Sequence, residues 1–294
     1  MQSGLTSVVI PVWNRPHTIG TTLRSVCAQR VDMEIVVVDN GSDDPEALDA
    51  AVARVGDSRI RVVRLATNLG PGGGRNAGVS SSSGEFVAFV DSDDTVEPTW
   101  LERSLAPLAR TDVAGTVSAL RKQRPDGTVT ATVLPEVHGP LFANMVGRFG
   151  GPPTFVLRRS VFDEVGAYDE RFWYGENVEL WVRVTALCAQ RGWSVASIDE
   201  VLSTFVTDDE RHHYDSVRLA STALMLEKHA ALMARDPAAH GDLLSVGGVT
   251  AAHAGDLRTA RHYFARALGV QRSMRALVRL LLACVPYLAR RRWP

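Results

Sequence analysis

Three carboxylates fall within four positions, at Asp91, Asp93 and Asp94, directly behind the apolar, β-branched run Phe86-Val87-Ala88-Phe89-Val90. A run of that length and composition reads as a buried strand, and acidic residues are depleted inside strands. The acids therefore sit just past the strand's carboxyl end, the edge of an open α/β sheet where ligands bind. Carboxylates this close repel one another unless a cation joins them, and hard divalent cations take oxygen ligands. Magnesium or manganese held by one or two carboxylates completes its shell with water and phosphate oxygens. One reading is a site for a metal-bound phosphate ester. The other is a polar turn whose Asp or Ser caps the helix expected near Pro98. On this segment alone the two stand level.

The acids need a scaffold, and the amino-terminal half supplies alternating strand and helix patterns. Ser7-Val8-Val9-Ile10-Pro11-Val12 reads as a first strand, with Trp13-Asn14-Arg15-Pro16 as its turn. Ile19, Leu23, Val26 and Cys27 then share a helical face. Glu34 to Asp39 is a second strand, again ending in an acid, followed by the turn Asn40-Gly41-Ser42-Asp43-Asp44. A third strand, Ile60 to Leu65, leads through Asn68-Leu69-Gly70 and a glycine run to a short helix carrying Arg75-Asn76-Ala77-Gly78. The acidic segment closes the fourth. This alternation predicts a mostly parallel sheet flanked by helices. Polar residues collect at three strand ends: Asn14 and Arg15, Asp39, then Asp91 and Asp93. Packing accounts for one such acid, and hardly for three. Gly72-x-Gly74-x-x-Ala77 also fits a dinucleotide fingerprint, with Asp93 about the expected distance beyond it. That fingerprint belongs at the first strand-to-helix turn; here it follows the third strand, which argues against a nicotinamide enzyme.

Four motifs in order resemble the family-2 glycosyltransferases, nucleotide-sugar enzymes of the GT-A fold. They are Val9-Ile10-Pro11-Val12-Trp13-Asn14-Arg15, Val37-Val38-Asp39-Asn40-Gly41-Ser42, Asn68-Leu69-Gly70 through Arg75-Asn76-Ala77-Gly78, and Asp91-Ser92-Asp93-Asp94. The resemblance covers roughly the first 210 positions. It implies a GT-A, Rossmann-like catalytic domain and an inverting, metal-dependent transfer of sugar to an acceptor hydroxyl. The donor it implies is a UDP- or dTDP-sugar; the acceptor is a glycan, a lipid-linked sugar or a small molecule. Asp39 then takes the carboxylate role toward the base, Pro11, Trp13 and Arg15 line the base and ribose pocket, and Arg75 reaches the nucleotide. Asp91 and Asp93 resemble the DxD pair, Asp91 nearer the ribose and Asp93 on Mn²⁺ or Mg²⁺. Asn40 stands where the family usually has Asp, a turn position at which Asn serves as well.

Farther on, Ala114–Leu120, Thr128–Val133 and Phe155–Leu157 read as strands, Phe142–Gly151 as a loop, and Ser160–Gly166 as a short helix closed by glycine. Family members carry Gly-Glu-Asp at a helix start here, and that Asp is the general base. This chain has Gly175-Glu176-Asn177, and an amide has no lone pair suited to taking a hydroxyl proton. Glu176 and Glu179, three apart, could supply the missing carboxylate, and both equally suit the positive end of a helix. Trp173 and Tyr174 read as a sugar platform or as a hydrophobic staple. His212 and His213 follow the Val201–Val206 strand, where relatives place a further metal contact; a surface histidine pair is the plain alternative, and His213 is the candidate ligand.

The 294 residues are 45% hydrophobic with formal net charge −1, enough chain for a sizeable core and no global attraction to nucleic acid. No secretory h-region or apolar run of ~18 residues is present. Cys27, Cys188 and Cys284 lack metal spacing and read as buried free thiols, so a cytoplasmic protein is expected. Residues 1–215 are assigned to the catalytic domain, as a nucleotide-binding half (1–112) and an acceptor-side half (113–215). Residues 216–294 form an all-α appendage of four helices, with one tetratricopeptide-like unit at Gly248, Ala251, Ala260, Phe264 and Ala267. Such a unit must pack on the catalytic domain, a second copy or a partner. The apolar last helix, ending Arg290-Arg291-Arg292-Trp293, suits either docking on the protein or peripheral contact at the inner membrane face. Two rival functions remain: a nucleotidyltransferase, and a catalytically silent nucleotide-sugar binder motivated by Asn177.

Overall fold

The computed structural model describes residues 1–135, 154–207 and 215–293. They form two compact units, one from residues 1–135, 154–170 and 176–207, the other from 171–175 and 215–293. The expected 142–151 loop and both His212 and His213 lie outside the described residues.

The first unit is a sheet of nine strands among the described residues. It comprises β1 (Gln2–Val12), β2 (Met33–Asp39), β3 (Ile60–Arg64), β4 (Gly84–Phe89), β5 (Thr95–Val96), β6 (Val113–Gln123), β7 (Val129–Val133), β8 (Phe155–Arg158) and β9 (Ser194–Val206). The order is β3-β2-β1-β4-β8-β6-β9-β5, with β7 paired to β6. The first four strands are parallel. Beyond them β8 runs antiparallel to both β4 and β6, and β5 antiparallel to β9. The parallel expectation thus holds for the amino-terminal half, while the whole sheet is mixed.

Both faces of the parallel half are covered, which explains its unbroken apolar runs. Val8, Ile10 and Val12 point into one core with Ile19, Leu23 and Val26 of α1 (Ile19–Cys27) and Leu48 of α2 (Pro45–Ala53). Val9, Val36 and Val38 point into the other, which holds Phe89, Phe155, Phe162 and Trp181. That second face is covered by α3 (Gly70–Ser80), α5 (Arg159–Val165) and α6 (Glu176–Arg191), while α4 (Trp100–Leu105) lies in the first core. The glycine run opens α3, and a separate glycine farther along the helix serves packing. A Cβ on Gly78 would overlap the Val9 side chain, so only glycine lets α3 lie this close to β1.

Two features escaped the sequence. β9 begins at Ser194, seven residues before the apolar run that announced it, because its first half is largely polar and half-exposed. The two-residue β5 is too short to leave a periodic signal, yet it clamps the end of the acidic turn to β9 through Thr95↔Thr204 and Val96↔Ser203.

The second unit is helical: α7 (Asp215–Lys228), α8 (Ala230–Arg235), α9 (Pro237–His253), α10 (Leu257–Gln271), α11 (Met274–Cys284) and α12 (Pro286–Arg292). Asp236, Asp256 and Ser273 cap α9, α10 and α11 by accepting from Ala239, Thr259 and Ala276 amides. Side chains at Gly247 and Gly248 would collide with Tyr263 and Phe264, so small residues set how closely α9 and α10 approach. Ala251, Ala260, Phe264 and Ala267 are fully buried in this unit. Pro286 divides the expected last helix into α11 and α12. One cysteine departs from expectation. Cys284 is exposed while Cys188 is buried and Cys27 half-buried, its thiol pushed up to about 12 chiefly by burial and then by Asp57.

Candidate active site

In the strand order, β2 and β3 lie to one side of β1 and β4 to the other. The winding reverses between β1 and β4, and open α/β sheets bind ligands outside the carboxyl ends at such a point. Every polar strand-end residue singled out from the sequence belongs to β1, β2 or β4.

Arg15, in the turn after β1, forms an ion pair with Asp93, in the turn after β4. The side chain of Asp93 is 23% exposed and that of Asp91 30%. Asp91 accepts from Arg75 Nη2 at 2.7 Å. Asp94 turns inward: it is fully buried, with Oδ1 accepting the Val206 amide at 3.1 Å and Oδ2 unpartnered among the described residues. Burial, and then the Asp91 charge, hold its carboxyl well above the usual carboxylate range. The three acids thus divide into an outward pair and one buried anchor on β9. The capping alternative accounts for none of the three: the N-cap of α4 is Thr99, without a side-chain cap hydrogen bond, and Asp94 holds β9 instead.

On the neighbouring strand, Asp39 Oδ1 accepts the Ser42 amide at 3.0 Å and Oδ2 pairs with Arg64 at 3.3 Å. Half-buried Pro11 and half-exposed Trp13 stand at the end of β1 beside it. Asn14, at φ 54, donates from its amide to Asp43 at 2.7 Å and accepts the Asp43 N–H at 2.8 Å. That clip fixes the β1 and β2 turns against each other.

Asn40 does more than turn the chain. Its Oδ1 accepts the Leu69 amide at 3.0 Å, while Nδ2 donates to the Gly70 carbonyl at 2.9 Å and to Asn68 Oδ1 at 3.1 Å. The backbone partners fix which atom is oxygen and which nitrogen, so the amide ties the β2 turn to the start of α3. Asp in its place would set a carboxylate oxygen against a buried carbonyl. Asn40→Asp is therefore expected to destabilise the fold by about 1–3 kcal/mol, measured by denaturant unfolding, the scale of a buried polar group left unsatisfied. A neutral outcome would return Asn40 to an ordinary turn role.

Arg75 departs from expectation. Its side chain is 2% exposed, with Nη1 on Glu176 at 2.6 Å, Nη2 on Asp91 at 2.7 Å, and its guanidinium 5.4 Å from the Tyr168 ring centroid. Both forked ends are thus occupied by carboxylates. Arg75 joins the acidic turn to the start of α6 rather than facing open space. Although burial works against the charge, Asp91, Tyr168 and Glu176 together raise the guanidinium above its ordinary value. Its Nε lacks a partner among the described residues.

At the start of α6, Glu176 Oε1 accepts from Arg75 and also from Asn177 Nδ2 at 2.8 Å. Asn177 Oδ1 accepts the Tyr168 hydroxyl at 2.9 Å. Both ends of the amide are used, so this position is built for Asn. Glu179 is fully buried and held by Arg183, with Nε at 2.9 Å and Nη2 at 2.7 Å. A carboxylate so enclosed cannot meet an acceptor hydroxyl, and Glu179 is a structural ion pair. In the second unit, Trp173 and Tyr174 are half-exposed, and Arg218 sits 4.7 Å over the Tyr174 ring.

No cluster of three potential metal ligands occurs among the described residues. Two partly exposed carboxylates on one turn suit a magnesium or manganese ion that draws most of its shell from water and a diphosphate. An all-protein cage is not built here. The donor set fits the first kind of ion.

The sequence model of glycosyl transferase family 2 matches residues 7–166, more than half of the chain. The succinoglycan biosynthesis protein ExoO of Rhizobium meliloti is 34% identical over 186 residues, 58% of this chain and 52% of that protein. The pre-mycofactocin glycosyltransferase of Mycobacterium tuberculosis is 30% identical, over 60% of this chain and 38% of that protein. The chain thus spans about half or less of the length of these relatives. Among solved structures, Staphylococcus aureus TarS 1–349 in complex with UDP-GlcNAc is similar at TM-score 0.63 and 18% identity, covering 97% of this chain and 87% of that one. The mannosyltransferase PcManGT of Pyrobaculum calidifontis, solved with GDP-Man and Mn²⁺, gives TM-score 0.58 at 16% identity, covering 97% and 85%. This protein is a member of glycosyl transferase family 2.

Proposed function

We propose that the chain transfers a glycosyl group from a nucleotide-sugar donor, of the UDP- or dTDP-sugar class, to an acceptor hydroxyl with inversion. The observation that carries this reading is the placement of Asp39 at the carboxyl end of β2 and of Asp91 and Asp93 just past that of β4, the two strands on either side of β1 at the winding reversal. The nucleotide base would meet Asp39 in place of Arg64, against Pro11 and Trp13. Asp91 would face the ribose and Asp93 would be the protein ligand of the ion. A bound Mn²⁺ or Mg²⁺ would offset the charge gathering on the departing diphosphate. Arg15, now on Asp93, would be released toward the nucleotide phosphates.

Glu176 is the base in this reading. Oε1 is fixed by Arg75 and Asn177, which leaves Oε2 to take the acceptor proton. As the acceptor oxygen bonds to the anomeric carbon, the bond to the nucleoside diphosphate breaks and the proton remains on Glu176. The acceptor is a glycan, a lipid-linked sugar or a small molecule. Asn177 favours one other reading, a nucleotide-sugar binder without turnover, since the family's base position is an amide. Nucleotide release measured over an acceptor panel separates the two: binding with no release on any acceptor supports the silent binder.

Donor recognition has its own test. Asp39→Ala is expected to weaken calorimetric UDP affinity by ~1–3 kcal/mol, the scale of a charge-assisted hydrogen bond. Unchanged affinity for every nucleotide tried would remove Asp39 from the base pocket.

A further inference from the structure

α11 is apolar on two opposite faces. Ala276 and Ala283 are buried against the helical unit, as its packing requires. Met274, Val278, Leu281 and Val285 recur at helical spacing on the other side, 71%, 48%, 58% and 44% exposed. Tyr287 and Leu288 of α12 follow in sequence and are also exposed, 68% and 41%. Scattered apolar surface residues are ordinary, but six exposed ones between Met274 and Leu288 mark an interaction surface.

The charge beside this stripe identifies its partner. From Leu257 to Pro294 the sequence holds nine arginines and no Asp or Glu, in a chain of formal net charge −1. The remainder of the chain is correspondingly acidic. Arg275, Arg279 and Arg292 line one groove of about 570 Å³ with His253, Val278 and Trp293. None of the three arginines has a hydrogen-bonded or ion-paired partner among the described residues. Burial and the charges of Arg275 and Arg292 lower the Arg279 guanidinium from its ordinary value, with Asp242 of α9 partly opposing. Three like charges gathered with only Asp242 partly opposing them call for an anion. An apolar stripe beside arginines is the arrangement by which short helices lie in a lipid interface. No helix among the described residues is long and apolar enough to cross a membrane, so the contact is lateral.

We propose that α11 and α12 dock on an anionic lipid bilayer, with the exposed apolar residues from Met274 to Leu288 in the acyl boundary and Arg275, Arg279 and Arg292 on headgroup phosphates. This goes beyond the glycosyl-transfer reading and is measured without donor, so either can fail alone. The test is flotation of the full chain with vesicles of phosphatidylcholine alone or mixed with phosphatidylglycerol. The protein should float with the mixed vesicles, stay behind with neutral ones, and release at high salt. Arg275→Glu with Arg279→Glu should lower partitioning at least about tenfold, since each basic residue near such a surface contributes about 1 kcal/mol. Leu281→Ser with Tyr287→Ser, at exposed positions that leave the buried face intact, should weaken binding even at low salt. Failure to float with anionic vesicles, or equal flotation of the charge-reversed protein, would overturn the proposal. So would a sedimentation shift to a dimer that the Leu281/Tyr287 variant abolishes while vesicle binding stays absent, which would assign the stripe to a second copy.

Discussion

Glu176→Gln is expected to lower turnover by ~10²–10⁴-fold, the usual contribution of a positioned general base, while nucleotide affinity is retained. Gln keeps an oxygen for Arg75 Nη1 and Asn177 Nδ2, so the network that holds Asp91 persists. What is lost is the capacity to hold a proton from the acceptor. Steady-state rates with a verified acceptor, beside calorimetric nucleotide titration, separate the two quantities. Full activity in Glu176→Gln would move the base to the acceptor or to another part of the chain. Restoring the family's residue should not help: Asn177→Asp would bring a carboxylate oxygen to the position now donating to Glu176 at 2.8 Å, and like charges that close disfavour each other.

Arg75→Ala should be the most damaging single change to the fold. The substitution leaves Glu176, 8% exposed at the side chain, and Asp91 facing each other without the cation that joins them. Removing one partner of a buried ion pair costs about 3–5 kcal/mol. Denaturant unfolding should therefore show a loss of that order, with nucleotide binding lost alongside. Arg75→Lys restores charge but cannot reach both carboxylates with one ammonium, and should recover only part. A stable Arg75→Ala protein with native affinity would separate the acidic turn from α6 altogether.

The parallel half of the sheet was legible because its strands are buried on both faces and end in polar turns. Periodicity and composition both mark such strands. The mixed half was less so: β5 is two residues long, and β9 starts in a half-exposed polar stretch. Asp39, Asp91 and Asp93 were marked by type and position alone. The consequences of burial were not. Nothing in the order of residues says that Arg75 and Glu176, 101 positions apart, share a hydrogen bond, or that Asp94 turns inward while its neighbour turns out. Glu179 was ambiguous at the same level, because i,i+4 spacing to Arg183 fits an exposed pair as well as the buried one observed. Asn40 passed as a turn residue because its three partners come from a distant loop.

The central claim is that the turns after β1, β2 and β4 hold a nucleotide-sugar through Asp39 and the Asp91–Asp93 pair, with a divalent ion. Titrating UDP-sugars and their nucleotides into the full chain and into Asp93→Ala, with Mn²⁺ and with chelator, tests it most directly. Binding that requires Mn²⁺ in the natural sequence and disappears in Asp93→Ala, with the fold intact by circular dichroism, is the predicted result. Metal-independent binding of equal strength in both proteins, or no binding of any nucleotide-sugar, would contradict it.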